Sequence, residues 1–170
     1  MVIKEKLGRL PDYEGESLAV DWLPLEWYET SKRILHKQTI SGKSLMLRFL
    51  KEAPHLQQDD VLYKDEDYII AVDILPCEVI VIQPISMYGM ALACYEIGNK
   101  HLPLYYERDA LLIPYDAPLF RMLQGWDFEL KVEKRKLHFP LKTSVVPHEH
   151  RGGESLFSKV LKLTTSPHDR

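Results

Sequence analysis

The stretch from Ser86 to His101 reads SMYGMALACYEIGNKH and predicts the helix around which the second half of the chain is arranged. Its apolar residues recur at i, i+3, i+4 and i+7, which is the spacing of one buried helical face. Ser86 is a good N-cap, because its hydroxyl can accept a hydrogen bond from a free N–H of the first turn. The predicted buried face consists of Met87, Met90, Ala91, Cys94 and either Ile97 or Gly98.

The helix is expected to end at Gly98 and Asn99, since both residue types tolerate the left-handed conformation that terminates helices. His101 follows two residues later. A side chain placed here lies near the last carbonyl groups of the helix, whose partial negative charge favours a cation. This end of the helix is therefore a candidate cation site, although one histidine does not define a metal centre.

The patterns around this helix predict a β-α-β-β-α-β order. A β-branched run, Cys77–Gln83, precedes the helix, and two apolar strands at Leu104–Tyr106 and Leu111–Ile113 follow it. Asp116 then caps a second helix, and a last strand runs from Phe128 to Leu137. This order is typical of a ferredoxin-like domain, an antiparallel sheet with both helices on one face. The stripe of the second helix comprises Leu119, Met122, Leu123 and Trp126, ending near Gly125.

The first 75 residues show short strands and turns instead of a helical period. Ser44–Phe49 is expected to pair with a strand at Arg33–Leu35, and Val61–Tyr63 with Tyr68–Val72, giving two hairpins. Such a pattern predicts an all-β domain, either a small two-sheet sandwich or a barrel. Trp22 and Trp27 are interpreted as cover for its core or as contacts for a partner.

The predicted fold class is therefore α+β, in three parts. Residues 1–75 form the all-β N-terminal domain, and residues 76–141 form the ferredoxin-like domain. The boundary is placed at Pro76, since proline interrupts a continuous strand. Residues 142–170 form a histidine-bearing tail, and their proline and paired glycines are typical of flexible chain.

Composition narrows the functional classes. Of 170 residues, 45% are hydrophobic and 28% charged, and the net charge is −3, without the basic patch expected of a nucleic-acid binder. No apolar run approaches the roughly 20 residues of a transmembrane helix. The N-terminus resembles no secretion signal, so we expect a cytoplasmic protein without a membrane partner. The common catalytic motifs are missing, which predicts that the protein is not an enzyme.

A family resemblance sharpens this picture. Gly98-Asn99-Lys100-His101, preceded by Tyr95-Glu96-Ile97, resembles the signature of the urease accessory protein UreE family, which are nickel metallochaperones. The family usually has arginine where this chain has Lys100, and lysine keeps the charge. The resemblance covers Val2 to Leu141, and a histidine-bearing C-terminal segment follows. Further agreement lies in Val20-Asp21-Trp22, Glu26-Trp27, Lys32-Arg33 and Asp60-Val61-Leu62.

The resemblance implies a homodimer with His101 of both subunits at the interface, because a twofold axis brings the same residue together from each copy. It also implies that tail histidines complete the coordination of the metal, and it assigns partner or peptide binding to residues 1–75 and metal binding and dimerisation to residues 76–141. Whether metal also links dimers into a tetramer is left open by the sequence. His148 and His150 are two residues apart, so in an extended segment both imidazoles point the same way. His168 is a further candidate ligand, whereas His36, His55 and His138 are interpreted as structural or solvated.

The implied function is delivery of Ni(II) for assembly of the urease active site. Its implied partners are the urease accessory GTPase and the urease apoprotein. Imidazole also suits Zn(II) and Cu(II), so a protein that handles zinc or copper with the same histidines is one alternative. The other is a metal-independent chaperone or docking module that acts through the N-terminal domain.

Overall fold

The structure, a computed structural model, describes residues 1–15, 17–126, 128–138 and 140–141. It is an α+β fold, as the sequence predicts: an N-terminal domain of two sheets precedes a C-terminal domain in which one sheet carries both α-helices. Within those residues, no helix has the length and apolar character needed to cross a membrane. The predicted tail at 142–170 lies outside the described residues.

The N-terminal domain contains short strands and two single-turn 3₁₀ helices, at Leu10–Tyr13 and Trp27–Glu29. Its strands are β1 (Val2–Ile3), β2 (Gly8–Arg9), β3 (Ala19–Leu25), β4 (Ile34–Gln38), β5 (Ser44–Arg48), β6 (Asp60–Lys64) and β7 (Tyr68–Ile74). They form a three-stranded sheet of order β1-β5-β4 and a four-stranded sheet of order β2-β6-β7-β3.

Both predicted hairpins are confirmed, since β4 pairs antiparallel with β5 and β6 pairs antiparallel with β7. Alternate residues of the two sheets face each other and share one core. Leu23 and Ile70 of the larger sheet and Leu47 of the smaller are fully buried there. The two-sheet sandwich is therefore the correct alternative, because the sheets have separate edges and do not close into a barrel.

The C-terminal domain has the predicted ferredoxin-like order. Its elements are β8 (Cys77–Pro84), α1 (Met87–Asn99), β9 (Tyr105–Glu107), β10 (Ala110–Pro114), α2 (Ala117–Gln124) and β11 (Phe128–Arg135). The strand order is β11-β8-β10-β9, and every pairing is antiparallel. The last strand ends at Arg135, short of the predicted Leu137, because the chain leaves the sheet and buries Leu137 against the face without helices.

The domains meet on that helix-free face. Trp27 of the N-terminal domain packs there, against the cluster that includes Val79 and Leu112. Lys136 Nζ donates a hydrogen bond to the Asp73 carboxylate and joins the segment after β11 to β7. Trp27 is thus cover for an apolar surface, which is one of its two predicted roles.

Candidate metal centre

Helix α1 is fixed to the sheet at its first turn. The predicted cap is confirmed: Gly89 N–H donates to Ser86 Oγ at 3.0 Å. Gly89 is buried, and a Cβ at this position would lie 3.3 Å from the Phe128 ring of β11. Glycine therefore lets the first turn of α1 approach the sheet closely, and this contact fixes the start of the helix.

The buried face of α1 differs from the prediction. The residues that are fully buried in the core are Gly89, Ala93 and Ile97, with Met90 and Cys94 partly buried beside them. Met87 is instead 90% exposed, and Ala91 and Gly98 are also exposed. The prediction is correct for Met90, Cys94 and Ile97 but wrong for Met87 and Ala91. Because α1 is apolar on nearly every side, hydrophobic spacing alone does not separate its two faces.

The outward side of α1 carries large apolar side chains. Tyr88 is 77% exposed and Tyr95 66%, and Met87 precedes them. Ala91 and Gly98 lie at helical spacing between and beyond the tyrosines, where small residues leave room for another backbone to approach. This face leads along the helix toward His101.

Helix α1 ends at Asn99, within the predicted stop, but its left-handed residue is not one of the two predicted. Gly98 and Asn99 are still helical, and His101 is the residue with left-handed backbone, at φ 54°. Its N–H donates to Gly98 O at 2.9 Å, while Leu102 N–H donates to Ile97 O at 3.4 Å. These two bonds form a Schellman motif, in which the left-handed position is normally glycine. The apolar contact that accompanies this motif is present, since Leu102 packs on the cluster that contains Ile97.

The His101 side chain is exposed at this turn. Among the described residues its imidazole has no hydrogen-bond or ion-pair partner. Both ring nitrogens are therefore available to a ligand, close to carbonyl groups at the negative end of the helix dipole. In the described part of one chain, no group of three or more histidine, cysteine, aspartate or glutamate side chains is arranged to hold a metal. A site on His101 must obtain its other ligands elsewhere.

The last described residues return to this end of the domain. Leu137 is buried on the helix-free face, Pro140 pairs with Tyr105 at the edge of β9, and Leu141 N–H donates to Leu104 O at 2.8 Å. Leu104 is three residues after His101. Leu141, the last described residue, is therefore hydrogen-bonded to the chain three positions beyond His101. Sequence reasoning did not find this placement, because a single bridge at a strand edge leaves no periodic pattern.

The other candidate ligands, His148, His150 and His168, lie outside the described residues. Within them, His36 is exposed on β4, and His55 Nδ1 lies 3.2 Å from Ser31 Oγ. His138 lies after the last strand instead of within it, and burial lowers its pKa. These three side chains are distributed over separate parts of the fold.

The two cysteines lie on opposite faces of the C-terminal sheet and are not neighbours. Cys77 packs on the helix-free side, and Cys94 packs under α1, with its Sγ 4.0 Å from Met90 Sδ. Both are half-buried and unpaired, and burial raises the pKa of each thiol. Thiolates are thus disfavoured at both positions, which agrees with a packing role.

Comparison with known proteins identifies relatives over nearly the whole chain. A model described as the UreE urease accessory protein N-terminal domain matches residues 3–75, and one described as its C-terminal domain matches residues 77–162. A urease accessory protein UreE of Flavobacterium johnsoniae is 38% identical over 163 residues, covering 96% of this chain and 99% of that protein.

Two other relatives carry the same name. The protein of Actinobacillus pleuropneumoniae is 40% identical over 147 residues, covering 84% of this chain and 79% of its own length. That of Helicobacter pylori is 39% identical over 153 residues, covering 87% of this chain and 89% of its own.

Proposed function

Because this chain belongs to the UreE family of urease accessory proteins, we propose that it is a metallochaperone that captures Ni(II) at His101 and delivers it to urease during maturation. Membership of the family implies a role in urease maturation. Nickel is the cargo in this proposal, and the protein carries out capture and transfer without catalytic turnover. Zn(II) or Cu(II) can bind the same imidazoles.

The observation that carries the proposal is the position of His101. An exposed imidazole without a partner in the described chain stands at a left-handed turn, and the chain that bears the remaining candidate ligands starts beside it at Leu141. His148 is seven residues beyond Leu141 and His150 nine. Extended chain spans at most about 25 Å and about 32 Å over those lengths, which is ample to return to His101. His168 is further along the same chain.

We propose that two copies of the chain complete the site. The outward face of α1 presents Tyr88 and Tyr95, and a large apolar surface of this kind is typical of an interface. If a second α1 packs on it about a twofold axis, the two His101 side chains are related by that axis. Each would provide one imidazole to a shared ion, with tail histidines as further ligands. A metal held between tails can also link two dimers into a tetramer.

Transfer follows from the same arrangement. Ligands that come from separate segments can leave the ion one at a time, so a recipient can replace them in steps. Ligating imidazoles must be neutral, and the affinity for Ni(II) is therefore expected to fall as the pH falls. We assign residues 76–141 to metal binding and dimerisation, 142–170 to capping of the ion, and 1–75 to partner docking. The proposed recipients are the urease accessory GTPase and the urease apoprotein, in the cytoplasm.

The test is a calorimetric Ni(II) titration of the full chain, with molar mass from light scattering. We expect one tightly bound ion per dimer in the parent, and loss of that ion in His101→Ala while the dimer persists. The matched control is His36→Ala, which removes an exposed histidine from the N-terminal domain and should bind as the parent does. The double variant H148A/H150A should bind Ni(II) more weakly than the parent but more tightly than His101→Ala.

Three outcomes contradict the proposal. If His101→Ala binds as tightly as the parent, His101 is not the anchor. If the parent binds no Ni(II) but still associates with the GTPase in chelator, the protein is a docking module. If Zn(II) displaces Ni(II) under metal-buffered conditions, nickel is not the preferred cargo; tighter binding of Cu(II) follows the Irving–Williams order at any imidazole site and does not identify the cargo.

A further inference from the structure

The three-stranded sheet of the N-terminal domain has one face in the core and one face toward solvent. On the solvent face, Ile34 is 61% exposed and Val2 52%, and Leu50, just after β5, is 63% exposed. The register places Val2 beside Met46 and Ile34 beside Arg48. These neighbours form an apolar surface with a cation at its end.

A groove of about 700 Å³ adjoins this surface, between the segment after β1 and the loop after β5. Phe49 in its lining is buried, Pro54 is half-buried, and Leu50 stands exposed at its side. The groove is therefore a half-open depression in which apolar side chains stand among charged ones.

The charges along this groove are mostly positive. Lys4, Arg48 and Lys51 are exposed, and in the described part of the chain none of them has an acidic partner. Lys6 also lines the groove, but it is paired with buried Asp60 at 3.1 Å. Three cations are thus available to a ligand, in a protein whose net charge is −3.

Acidic residues only partly offset these cations. Glu5 and Glu52 are the carboxylates of the lining. Further positive charge lies at the same end of the sheet, since Phe49 N–H donates to Arg33 O at 2.8 Å and Lys32 precedes Arg33. The surface as a whole combines exposed apolar side chains with an excess of cations.

We propose that this surface, the basic groove formed by Lys4, Arg48, Leu50 and Lys51 with the adjoining Val2 and Ile34, binds an extended acidic segment of a partner protein. Apolar side chains of the segment pack on Ile34 and Leu50, and its carboxylates pair with the three unpaired cations. A narrow peptide fits a concave groove, whereas a flat bilayer contacts only its rim. This inference extends the proposed function by giving the chemistry of a partner, and it does not require metal binding at His101.

The test selects random dodecapeptides by phage display on the full-length protein and measures the affinity of fluorescein-labelled winners by anisotropy. The variant R48E/K51E reverses two cations of the groove. Its matched control, K131E/K134E, makes the same charge change at exposed lysines of β11. We expect the selected peptides to combine acidic with large apolar residues. Their affinity should be about tenfold or more lower for R48E/K51E than for the parent, and nearly unchanged for the control. I34S/L50S should weaken the same peptides with no change in charge.

The proposed binding of an acidic segment is wrong if the selected peptides show no excess of acidic residues, or if R48E/K51E binds them as tightly as the parent. It is also wrong if no peptide is enriched while vesicles of phosphatidylcholine and phosphatidylserine bind the parent but not R48E/K51E, which would indicate a membrane surface. Ni(II) titration of R48E/K51E distinguishes metal binding at His101 from peptide binding in the basic groove. If this variant loses peptide binding but keeps the Ni(II) affinity of the parent, the two functions are independent.

Discussion

The two helices of the C-terminal domain lie on the same face of one sheet, yet they present different surfaces to solvent. Both begin at a side-chain cap, Ser86 in α1 and Asp116 in α2. The outward side of α2 is polar, as Gln124 illustrates, whereas that of α1 carries Tyr88 and Tyr95. Packing on the sheet buries the apolar side of α2. Helix α1 retains a second apolar face that the described part of its own chain does not cover.

The helices also end differently. α1 is terminated by His101 in left-handed conformation, where glycine would cost least, and α2 by Gly125, which has right-handed backbone at φ −74° and has no such need of glycine. The end of α1 therefore costs stability that the end of α2 avoids. Together with the apolar face, this agrees with the proposed binding role of α1, whereas packing alone accounts for α2.

The largest effect that tests this contrast is expected from Tyr88→Asp. A charge within the proposed α1 interface should weaken the dimer by about 2 kcal/mol or more, a typical loss for an interfacial aromatic anchor. Analytical ultracentrifugation of the metal-free protein measures the dissociation constant. Shared Ni(II) binding should weaken in parallel.

Gln124→Asp is the matched control, since it adds the same charge to an exposed position of α2. The contrast between the helices fails if both variants dissociate equally or if neither does. Circular dichroism and thermal melting of the Tyr88→Asp monomer check that the domain itself stays folded.

A smaller effect is expected at the helix ends. His101→Gly removes the left-handed cost and should stabilise the metal-free protein by about 1 kcal/mol while it removes the metal anchor. Gly125→Ala should stabilise by about 0.5 to 1 kcal/mol, because alanine accepts right-handed backbone and restricts the unfolded chain. Urea denaturation without metal measures both.

His101→Ala is the control for backbone conformation, since alanine at this position keeps the left-handed cost and should bring no comparable gain in stability. An equal gain from His101→Gly and His101→Ala would show that the backbone at His101 is not strained. The end of α1 would then lose no stability by having histidine at this turn.

The same contrast explains how far the sequence could predict the structure. For α2, the Asp116 cap and the stripe containing Leu119 and Leu123 were correct, because polar and apolar residues alternate clearly around that helix. For α1, the Ser86 cap was correct but the buried face only in part, since exposed and buried apolar residues of one helix give the same pattern. The β-α-β-β-α-β order depended on the type of each element and was predicted correctly.

The candidate site was predictable only in part. The sequence indicated His101 through its position after a helix, but it placed the left-handed residue at Gly98 or Asn99, whose types tolerate that conformation best. A histidine there is less common, so propensity favoured the wrong residue. The placement of Leu141 beside Leu104 depends on the path across the helix-free face, which local patterns do not encode. The roles of His148, His150 and His168 stay predictions.

The smallest expected effect concerns His138, which follows the last strand and is not one of the proposed metal ligands. Burial lowers the pKa of His138, so this side chain stays neutral in the folded protein below its usual titration range. The unfolded chain binds that proton as the pH falls below about 6.5, and the folded protein does not, so the free energy of unfolding decreases until the lowered folded pKa is reached. In His138→Gln, the loss of stability between about pH 7.5 and about pH 5.5 should be smaller than in the parent, as measured by urea denaturation at each pH.

Nickel binding by His138→Gln gives the complementary measurement. Acid should still weaken it, because the proposed ligands must be neutral wherever His138 is placed. If His138→Gln instead removes the pH dependence of Ni(II) binding and leaves that of folding unchanged, the helix-free face takes part in the metal site. His138 would then belong to the metal site, and the proposed restriction of metal binding to the face that carries α1 would be wrong.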